Sequence, residues 1–381
     1  MSQPAQHHNR TRLRAAIILP LVGLLALVAP AATAKPPAHP ELTVMSRNIY
    51  LGSSLQPALG ATTPEGFVAA VAEIYGTMVF TDFPTRAGAI ADEVAATEPD
   101  LIGLQEVSNW VVTPVANPTA NARSYEFLDI LMEALETAGL NYSVAGTVDN
   151  ALIGPAPLVA PGTGCEGFQP TPAGPAPDCV VTFADRDVIL VNDDRSGLKV
   201  GRTKSGRYES QQVLQTAGGE LSFDRGWVSV QGRYQGKSFK FVNTHLETEA
   251  SPEVQEAQTT EFLRGPARGG QTIAVGDFNS AADGSSTNSY AQLTAPPAFT
   301  DAWTVNGADP GLTCCRDSAL AGPFQLQPVD PYELSSRIDL VLTRGPIRTL
   351  SAQTVGAAQF QNLPPIWASD HAGVVATVRI R

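Results

Sequence analysis

The sequence predicts a layered α/β sandwich folded as one domain. Apolar segments of strand length recur through most of the chain, and only a few helical patterns lie between them. Acids, amides and histidines directly follow four of these strands, and the ends of a rigid sheet are a common place for a catalytic site. No internal repeat is visible, and no glycine-rich strand–turn–helix segment predicts a dinucleotide-binding fold.

Residues 1–34 are predicted to be a signal peptide rather than part of this fold. Three arginines precede an apolar run over residues 15–32, and Ala32-Thr33-Ala34 then supplies a cleavage signal. The run contains prolines and is short for a membrane-spanning helix, so a retained membrane anchor is the less favoured alternative. We expect a secreted, extracellular protein with no stable membrane anchor, occupying residues 35–381.

Composition is that of a globular chain with a sizeable core: 43% of the residues are hydrophobic and 16% are charged. The net charge of −12 becomes −15 once a leader with three arginines and no acid is removed. Extended contact with nucleic acid usually needs basic patches, so this charge argues mildly against tight DNA binding. It does not exclude a nuclease, because bound divalent cations change the local sign of a site.

The four cysteines are Cys165, Cys179, Cys314 and Cys315, and an even number in an exported chain predicts disulfides. Three pairings are possible. A Cys165–Cys179 bond would close a short loop, worth roughly 3 kcal/mol, but would leave Cys314 and Cys315 as an adjacent pair. Pairing between the two loops is therefore a rival, and free buried thiols are a further alternative.

The first half of the chain alternates strands with helices. Apolar residues recur at helical spacing in segment 84–97, Pro99 breaks that helix, and Gly139 ends the next one. The predicted elements are a strand at 42–50, helices at 61–78 and 84–97, a strand at 101–104, a helix at 124–138 and a strand at 140–148.

The second half is richer in strands and carries two predicted loop insertions. Residues 150–180 are rich in Pro, Gly and Ala without periodicity, and residues 280–335 are mostly irregular. The remaining predictions are strands at 180–183, 187–192, 198–202, 221–223, 226–234 and 237–244, a helix at 252–264, and strands at 271–275, 337–343, 347–355 and 371–380.

Two candidate metal ligands follow the first strands. Glu106 comes directly after strand 101–104, and a carboxylate at a strand end is a good ligand for a hard cation. Asn48, near the end of the first strand, offers an amide oxygen to the same ion or to a phosphate. The alternatives are a solvated loop acid for Glu106 and a turn role for Asn48.

Asp277, Asn279 and His245 follow two later strands. An Asp can orient or deprotonate water, and an Asn can donate to an oxyanion. Asn243 and His245 are two residues apart, so strand alternation directs both side chains to one face. An Asx turn at Asp277 and a purely structural His245 are the alternatives.

Asp339 lies within an otherwise apolar strand, and a charged group there needs a partner. His371, which follows Asp370 shortly before the last strand, is the predicted partner, since a carboxylate orients an imidazole and stabilises its protonated form. Asp187 is predicted either to serve His245 in the same way or to pair with Arg186.

In order and content these segments resemble the endonuclease/exonuclease/phosphatase superfamily, also called DNase I-like, in its secreted bacterial form. The resemblance covers residues 42–381 and implies a four-layer α/β/β/α sandwich of two mainly antiparallel sheets. The matching motifs are Arg47-Asn48, Gln105-Glu106, Asn243-Thr244-His245-Leu246, Gly276-Asp277-Phe278-Asn279, Arg337-Ile338-Asp339 and Ser369-Asp370-His371.

The resemblance also implies a divalent metal, Mg²⁺ or else Mn²⁺ or Ca²⁺. Glu106 would be its main ligand, with Asn48 beside it. Asp277 would position the attacking water, and Asp370 would assist at the metal or the water.

For the remaining residues the resemblance implies contacts with the phosphate. Asn279 would contact the phosphate and His245 would hold a phosphoryl oxygen. His371 would be the general acid/base partner, oriented by Asp339, and Arg225 is a further candidate. Such roles suit phosphoester cleavage, which needs in-line positioning and neutralisation of charge.

These inferences lead to a secreted, metal-dependent phosphodiesterase that acts as a monomer. A nuclease is favoured. A sphingomyelinase- or phospholipase C-like enzyme acting on a phospholipid head group, or an inositol-phosphate phosphatase, is the alternative, and a non-catalytic binding module is a remote one. The acidic charge leans towards a small head group, but we find no clear aromatic hairpin for insertion into a membrane.

Overall fold

The computed structural model describes most of the chain beyond the predicted signal peptide, which lies outside the described residues. Parts of both predicted insertions also lie outside them. The described ranges are 40–119, 123–170, 176–320, 334–362 and 365–381.

Six α-helices and one 3₁₀ helix occur in the described part of the chain. They are α1 Gln56–Leu59, α2 Pro64–Phe80, α3 Phe83–Thr97, α4 Phe127–Thr137, α5 Pro252–Arg264, α6 Ser289–Thr294 and the 3₁₀ helix Ala302–Asn306. The strands, in chain order, are β1 Glu41–Asn48, β2 Leu101–Gln105, β3 Asn109–Pro114, β4 Arg123–Glu126, β5 Tyr142–Leu158, β6 Phe168–Gln169, β7 Ala176–Pro177, β8 Cys179–Asn192, β9 Leu198–Arg207, β10 Gln212–Thr216, β11 Gly219–Phe223, β12 Gly226–Tyr234, β13 Lys237–His245, β14 Thr272–Asp277, β15 Thr300–Asp301, β16 Asp339–Arg344, β17 Ile347–Val355, β18 Gln361–Asn362, β19 Pro365–Ile366 and β20 Gly373–Ile380.

The largest difference from the sequence prediction is the length of β5 and β8. The first nine residues of the predicted 150–180 insertion belong to β5, and one strand replaces the two predicted at 180–183 and 187–192. The pairing of β5 with β8 shifts register at three places, for example between Val144 and Gly146. Each shift interrupts the two-residue alternation from which a strand is recognised in a sequence, which explains the difference.

Two large sheets form the centre of the fold. The first has the order β17-β20-β1-β2-β8-β3-β4, with β5 also paired to β8, and the second has the order β15-β16-β14-β13-β12-β9. Within the two sheets only β1–β2 and β13–β14 pair in parallel among the described strands. The prediction of mainly antiparallel sheets is confirmed.

Three apolar cores separate four layers, which confirms the predicted α/β/β/α sandwich. Residues of α2, α3 and α4 pack with the outer face of the first sheet. A second core, which includes Val44, Ile189, Phe241 and Val275, lies between the sheets. The third core joins the outer face of the second sheet to α5 through residues such as Phe262.

The two sheets approach closely near the site end of β2. A Cβ atom at Gly103 would lie 2.8 Å from Cγ of Asn243 and would also clash with Val275. The Asn243 amide donates to the backbone oxygens of Leu104 (2.8 Å) and Val188 (3.0 Å), so a strand of the second sheet is bonded directly to the first.

Among the described residues no single helix is long and apolar enough to cross a membrane. The bent pair α2 and α3 meets the length and composition test only when the two helices are taken together.

Candidate active site

Six strand ends meet at one edge of the sandwich. The parallel strands β1 and β2 end there side by side, with Asn48 opposite Gln105. In the second sheet His245 lies opposite Asp277, and Asp277 lies opposite Asp339 at the start of antiparallel β16. The last strand, β20, begins at the same edge because it is antiparallel to β1, and this brings in the segment that contains His371.

His371 and Asp339 form a buried pair. The Nδ1 atom of His371 lies 2.8 Å from Oδ2 of Asp339, which confirms the predicted partnership. Burial acts to lower the pKa of His371, but the carboxylates of Asp339, Asp370 and Asp277 outweigh it and raise the pKa well above its usual value. The ring is therefore protonated at neutral pH, and Nδ1–H donates to Asp339.

The backbone around His371 is bonded to the end of β1. Oγ of Ser369 donates to the Asn48 carbonyl (2.8 Å) and accepts from the His371 N–H (3.1 Å). The buried Arg47 guanidinium donates to the His371 carbonyl (2.6 Å) and pairs with Glu93 (2.8 Å). These contacts explain why the sequence carries Arg47 and Ser369 next to the residues with chemical roles.

Asn48 connects two acids of the site. Its Nδ2 donates to Oε1 of Glu106 and to Oδ2 of Asp277, both at 3.1 Å, and its Oδ1 accepts from the Tyr50 N–H. The backbone donor fixes the orientation of the amide, so Asn48 turns its N–H groups, and not its oxygen, towards the carboxylates. This orientation differs from the one that its predicted role as a metal ligand requires.

Glu106 and Asp277 therefore face each other across the Asn48 amide. Glu106 has a left-handed backbone (φ 59°), and its Oε2 accepts from the Leu51 N–H at 2.8 Å. Asp277 is 1% exposed, and burial raises its pKa to about 7, with the charge of Asp339 adding to the effect.

His245 is held as a neutral ring. Burial, with the charges of Arg225 and His371, lowers its pKa well below the usual value. Both ring nitrogens face donors, because Nη1 of Arg225 lies 3.1 Å from Nδ1 and the Asn279 amide nitrogen approaches Nε2. Nε2 lies 3.5 Å from Oδ2 of Asp277 and 3.0 Å from the Asn279 amide nitrogen. Asn279 in turn donates to the Leu246 carbonyl (3.0 Å).

Asp370 borders the same cluster from the His371 side. Burial raises its pKa to about 6; the charge of His371 opposes this shift and that of Glu106 adds to it. All eight residues predicted for the site thus lie at one end of the sandwich.

The donor atoms fit a divalent cation. Asp277, Asp339 and His371 each place an oxygen or nitrogen atom within 4.8 Å of the others, and the two carboxylates are the groups available to a cation while His371 is protonated. Within the described ranges Oδ1 of the fully buried Asp339 has no hydrogen-bond partner, although a buried carboxylate oxygen normally has one. A set dominated by carboxylate oxygens suits a hard cation. This set differs from the predicted metal ligands Glu106 and Asn48, whose assignment stays a prediction.

Among the described residues Asp187 forms neither of its two predicted contacts, the one with His245 and the one with Arg186. Arg225 occupies the Nδ1 side of His245, and Arg186 pairs with Glu126. Asp187 is fully buried, and burial followed by the charge of Asp185 raises its pKa well above the usual value, while a side-chain hydrogen bond from Asn150 and the charge of Arg225 oppose this shift.

Sequence reasoning missed Asp185 and Glu247. Burial, with the charge of Glu106, raises the pKa of Asp185 to about 7, and Glu247 lies 3.9 Å from Arg225. The available signal was that Asp185 and Asp187 alternate with apolar residues on an interior strand, as Asp339 also does.

The cysteine pairing resolves one open alternative. Cys165 pairs with Cys179 and Cys314 with Cys315, and no free cysteine occurs in the described residues. Cross-pairing between the two loops is therefore wrong.

A sequence model of one protein family matches this chain. The model describes the Endonuclease/Exonuclease/phosphatase family, and the match spans residues 74–371. No curated protein matches the sequence.

Solved structures with this fold are distant in sequence. A family protein from Bacteroides thetaiotaomicron is 14% identical with a TM-score of 0.51, covering 90% of this chain and 99% of that one. One from Bacteroides vulgatus is 15% identical with a TM-score of 0.51, covering 90% and 100%. The D. rerio TDP2 complexed with single strand DNA product is 14% identical with a TM-score of 0.50, covering 89% and 98%.

Proposed function

Because the chain belongs to the endonuclease/exonuclease/phosphatase family, whose members are metal-dependent phosphoric ester hydrolases, we propose that it hydrolyses a phosphodiester and acts as a nuclease. The observation that carries the proposal is the buried His371–Asp339 pair, whose Nε2 lies 3.8 Å from Asp277 in an acidic centre that fits a cation.

The metal site is proposed to consist of Asp277 and Asp339, with Glu106 at its border. A bound divalent cation supplies Lewis-acid stabilisation of the charge that develops on the phosphoryl oxygens. We favour Mg²⁺ because the site offers carboxylates to a hard ion, with Mn²⁺ and Ca²⁺ as alternatives.

Asp277 is proposed to position the attacking water and to accept its proton, because its carboxylate lies between the two histidines, 3.5 Å from Nε2 of His245 and 3.8 Å from Nε2 of His371. His371 carries its own proton on Nε2. Two groups 3.8 Å apart cannot flank the phosphorus from opposite sides, so His371 is assigned to a phosphoryl oxygen on the side of attack and not to the leaving group.

His245 and Asn279 are proposed to bind the other phosphoryl oxygens. The His245 ring and the Asn279 amide lie side by side, with 3.0 Å between Nε2 and the amide nitrogen, and Arg225 contacts the other ring nitrogen. Donors fixed in this way need no reorganisation as charge develops on the phosphate. Asp370 is proposed to support the charge on His371.

Three observations bear on substrate and location. D. rerio TDP2, which shares the fold, was crystallised with single strand DNA product, and this favours a nuclease. The net charge of −12 favours a small head group, so sphingomyelin and inositol phosphates remain the alternative substrates.

Export after cleavage near Ala34 is supported by the Cys165–Cys179 disulfide, since such bonds persist in oxidising compartments. We propose a monomer without a stable membrane anchor.

One experiment tests the reaction class and the substrate order together. The protein is incubated with plasmid DNA, RNA, sphingomyelin or inositol phosphates, in Mg²⁺, Mn²⁺, Ca²⁺ or EDTA. We expect DNA cleavage that needs the metal and falls roughly 100-fold to 1,000-fold in His371→Ala. Activity that survives EDTA, or is unchanged in His371→Ala, contradicts the mechanism. Hydrolysis of lipid without cleavage of DNA reverses the substrate order.

A further inference from the structure

The adjacent residues Cys314 and Cys315 lie beside His371, and the proposed reaction does not use them. Backbone bonds fix them there on two sides. The Cys314 N–H donates to the Ser336 carbonyl at 2.9 Å, three residues before Asp339. The Arg316 N–H donates to the Asp370 carbonyl at 2.9 Å. The pair is therefore held between the two segments that build the His371–Asp339 unit.

The two sulfurs differ in exposure. Cys314 is 7% exposed, whereas Cys315 is an exposed residue. Sγ of Cys315 lies 3.6 Å from Nε2 of His371, the nitrogen that the Asp339 contact leaves available. A reagent in solution can therefore reach the bond through Cys315, next to the catalytic ring.

His371 thus belongs to two sets of donor atoms. With Asp277 and Asp339 it forms an oxygen-rich set, and with Cys314 and Cys315 it forms a set of two sulfurs and one nitrogen, whose atoms also lie within 4.8 Å of one another. Carboxylates prefer hard ions such as Mg²⁺, whereas two thiolates and an imidazole prefer thiophilic ions such as Zn²⁺. The two sets share the His371 side chain and select different metals.

We propose that reduction of the Cys314–Cys315 bond opens a second, inhibitory metal site, in which both thiolates and Nε2 of His371 bind one thiophilic divalent ion such as Zn²⁺. Metal binding at this site is independent of the proposed function, whereas the inhibitory effect rests on it. While the disulfide is intact the sulfurs cannot act as thiolate ligands, and His371 is available to the substrate.

A phosphine provides the reductant for the test. The phosphorus gives up two electrons and takes one oxygen from water, while the two sulfurs take those electrons and the two protons of that water. One S–S bond is broken, and two thiols and a phosphine oxide are formed. Binding of Zn²⁺ then releases the two thiol protons and the proton on Nε2 of His371.

Zinc at this site should stop turnover because it binds the lone pair of Nε2. That nitrogen can then no longer carry a proton. A His371 held by zinc cannot donate to a phosphoryl oxygen. We expect the reduced enzyme in excess Mg²⁺ to lose activity roughly 100-fold when one equivalent of Zn²⁺ is added, and to recover it with a zinc-selective chelator.

The experiment measures binding and activity separately on the full chain. Zinc stoichiometry is determined by competition with a chromophoric chelator in excess Mg²⁺, before and after phosphine treatment. We expect one tight site per reduced chain and none per oxidised chain. Cys315→Ser, with Cys315→Ala as a second variant if the first fails to fold, should retain basal activity and lose the tight site. The double variant Cys165→Ser with Cys179→Ser is the matched control and should retain the tight zinc site.

The outcomes separate this proposal from the proposed function. Equal zinc binding by Cys315→Ser and the unsubstituted reduced chain overturns the site. Zinc inhibition that persists in Cys315→Ser overturns the inhibitory role, because it places the ion at the carboxylates. Tight binding that depends on Cys315, in a chain without phosphoesterase activity, supports the site and contradicts the proposed function alone.

Discussion

At the scale of single residues, the surroundings of His371 determine its protonation. Asp339 accepts from Nδ1 at 2.8 Å, and the Asp277 and Asp370 charges add to its effect. Burial alone would keep the ring neutral, as it does for His245, where an arginine takes the place of the acid. Two buried histidines of one site are therefore set to opposite protonation states by their neighbours.

We expect Asp339→Asn to change the pH dependence of the reaction. His371 has a raised pKa and must be protonated to donate, so activity should fall as pH rises through that pKa. Without the Asp339 charge the pKa falls, and the alkaline decline in kcat should move to lower pH. The measurement is the pH profile of kcat, with exposed Asp283→Asn as the control. An unchanged alkaline decline would contradict the role of Asp339.

Several residue roles could be predicted from the sequence and others could not. Asp339 was predictable because an acid in an apolar strand needs a partner, and only a few candidates share its end of the sheet. The contact of Arg225 with His245 could not be predicted. Arg225 precedes β12 by one residue, and no local sequence pattern indicates where its side chain points. The same holds for Asn48, whose orientation depends on the Tyr50 backbone.

At the scale of elements, strand ends place the site and the closeness of the sheets keeps it rigid. Asn48, Glu106, His245 and Asp277 all lie at or just after the ends of strands whose registers are fixed by ladder hydrogen bonds. Asn243 ties the two sheets together just behind them. Small changes in the spacing between the sheets should therefore affect both stability and catalysis.

Gly103→Ala tests this spacing. The added methyl group would meet Val275 and Asn243, so we expect destabilisation by about 1–3 kcal/mol from overpacking. A methyl group added at exposed Gly88 in α3 would meet no atom within 4 Å beyond its chain neighbours and the adjacent helix backbone, so Gly88→Ala should instead stabilise by about 0.5–1 kcal/mol. Urea unfolding of both variants provides the comparison, and equal stability of the two would show that the sheets separate without cost.

The Cys165–Cys179 bond stabilises the part of the fold where β5 ends and β8 begins. Replacing both cysteines with serine should lower the free energy of unfolding by roughly 2–4 kcal/mol, because the bond closes a chain loop in the unfolded state. Cys315→Ser is the control, since adjacent cysteines close almost no loop and little loss is expected. Denaturant titration under non-reducing conditions measures both, and a larger loss in the control would refute the loop argument.

At the scale of the whole molecule, the chain is acidic, and several of its buried carboxyl groups lie together at the candidate active site. Asp277, Asp370 and Asp185 have raised pKa values because burial and the charges of the neighbouring acids Asp339 and Glu106 disfavour their charged forms. A bound divalent cation offsets both the unfavourable burial of these charges and the repulsion between carboxylates. Metal binding should therefore release protons and stabilise the fold.

We expect Mg²⁺ to stabilise the protein more at pH 8 than at pH 5. A folded-state pKa of about 7 for Asp277, above its unfolded value, means that metal-free stability falls as pH rises from about 4 to about 7. Mg²⁺ must displace that proton, so its affinity should weaken about tenfold for each pH unit below 7. The measurement is the shift of Tm with added Mg²⁺ at each pH. Asp277→Asn should remove most of this pH dependence, and a shift independent of pH would contradict the argument.

The amino-acid sequence by itself predicts the layered fold and the segments that meet at the site. Strand alternation and the polar residues that follow each strand are local, so they can be recognised without knowledge of their partners. The reaction class is encoded there too, because the motifs occur in the order typical of one family.

Which atoms face each other depends on the packing of the whole chain. That packing brings Arg225 and not Asp187 to His245, turns the Asn48 amide towards two acids, and places Cys315 beside His371. These contacts join segments that are distant in sequence, such as Asn48 and Asp277, which are 229 residues apart. Their geometry follows from how two sheets pack, and no local pattern in the chain records that packing.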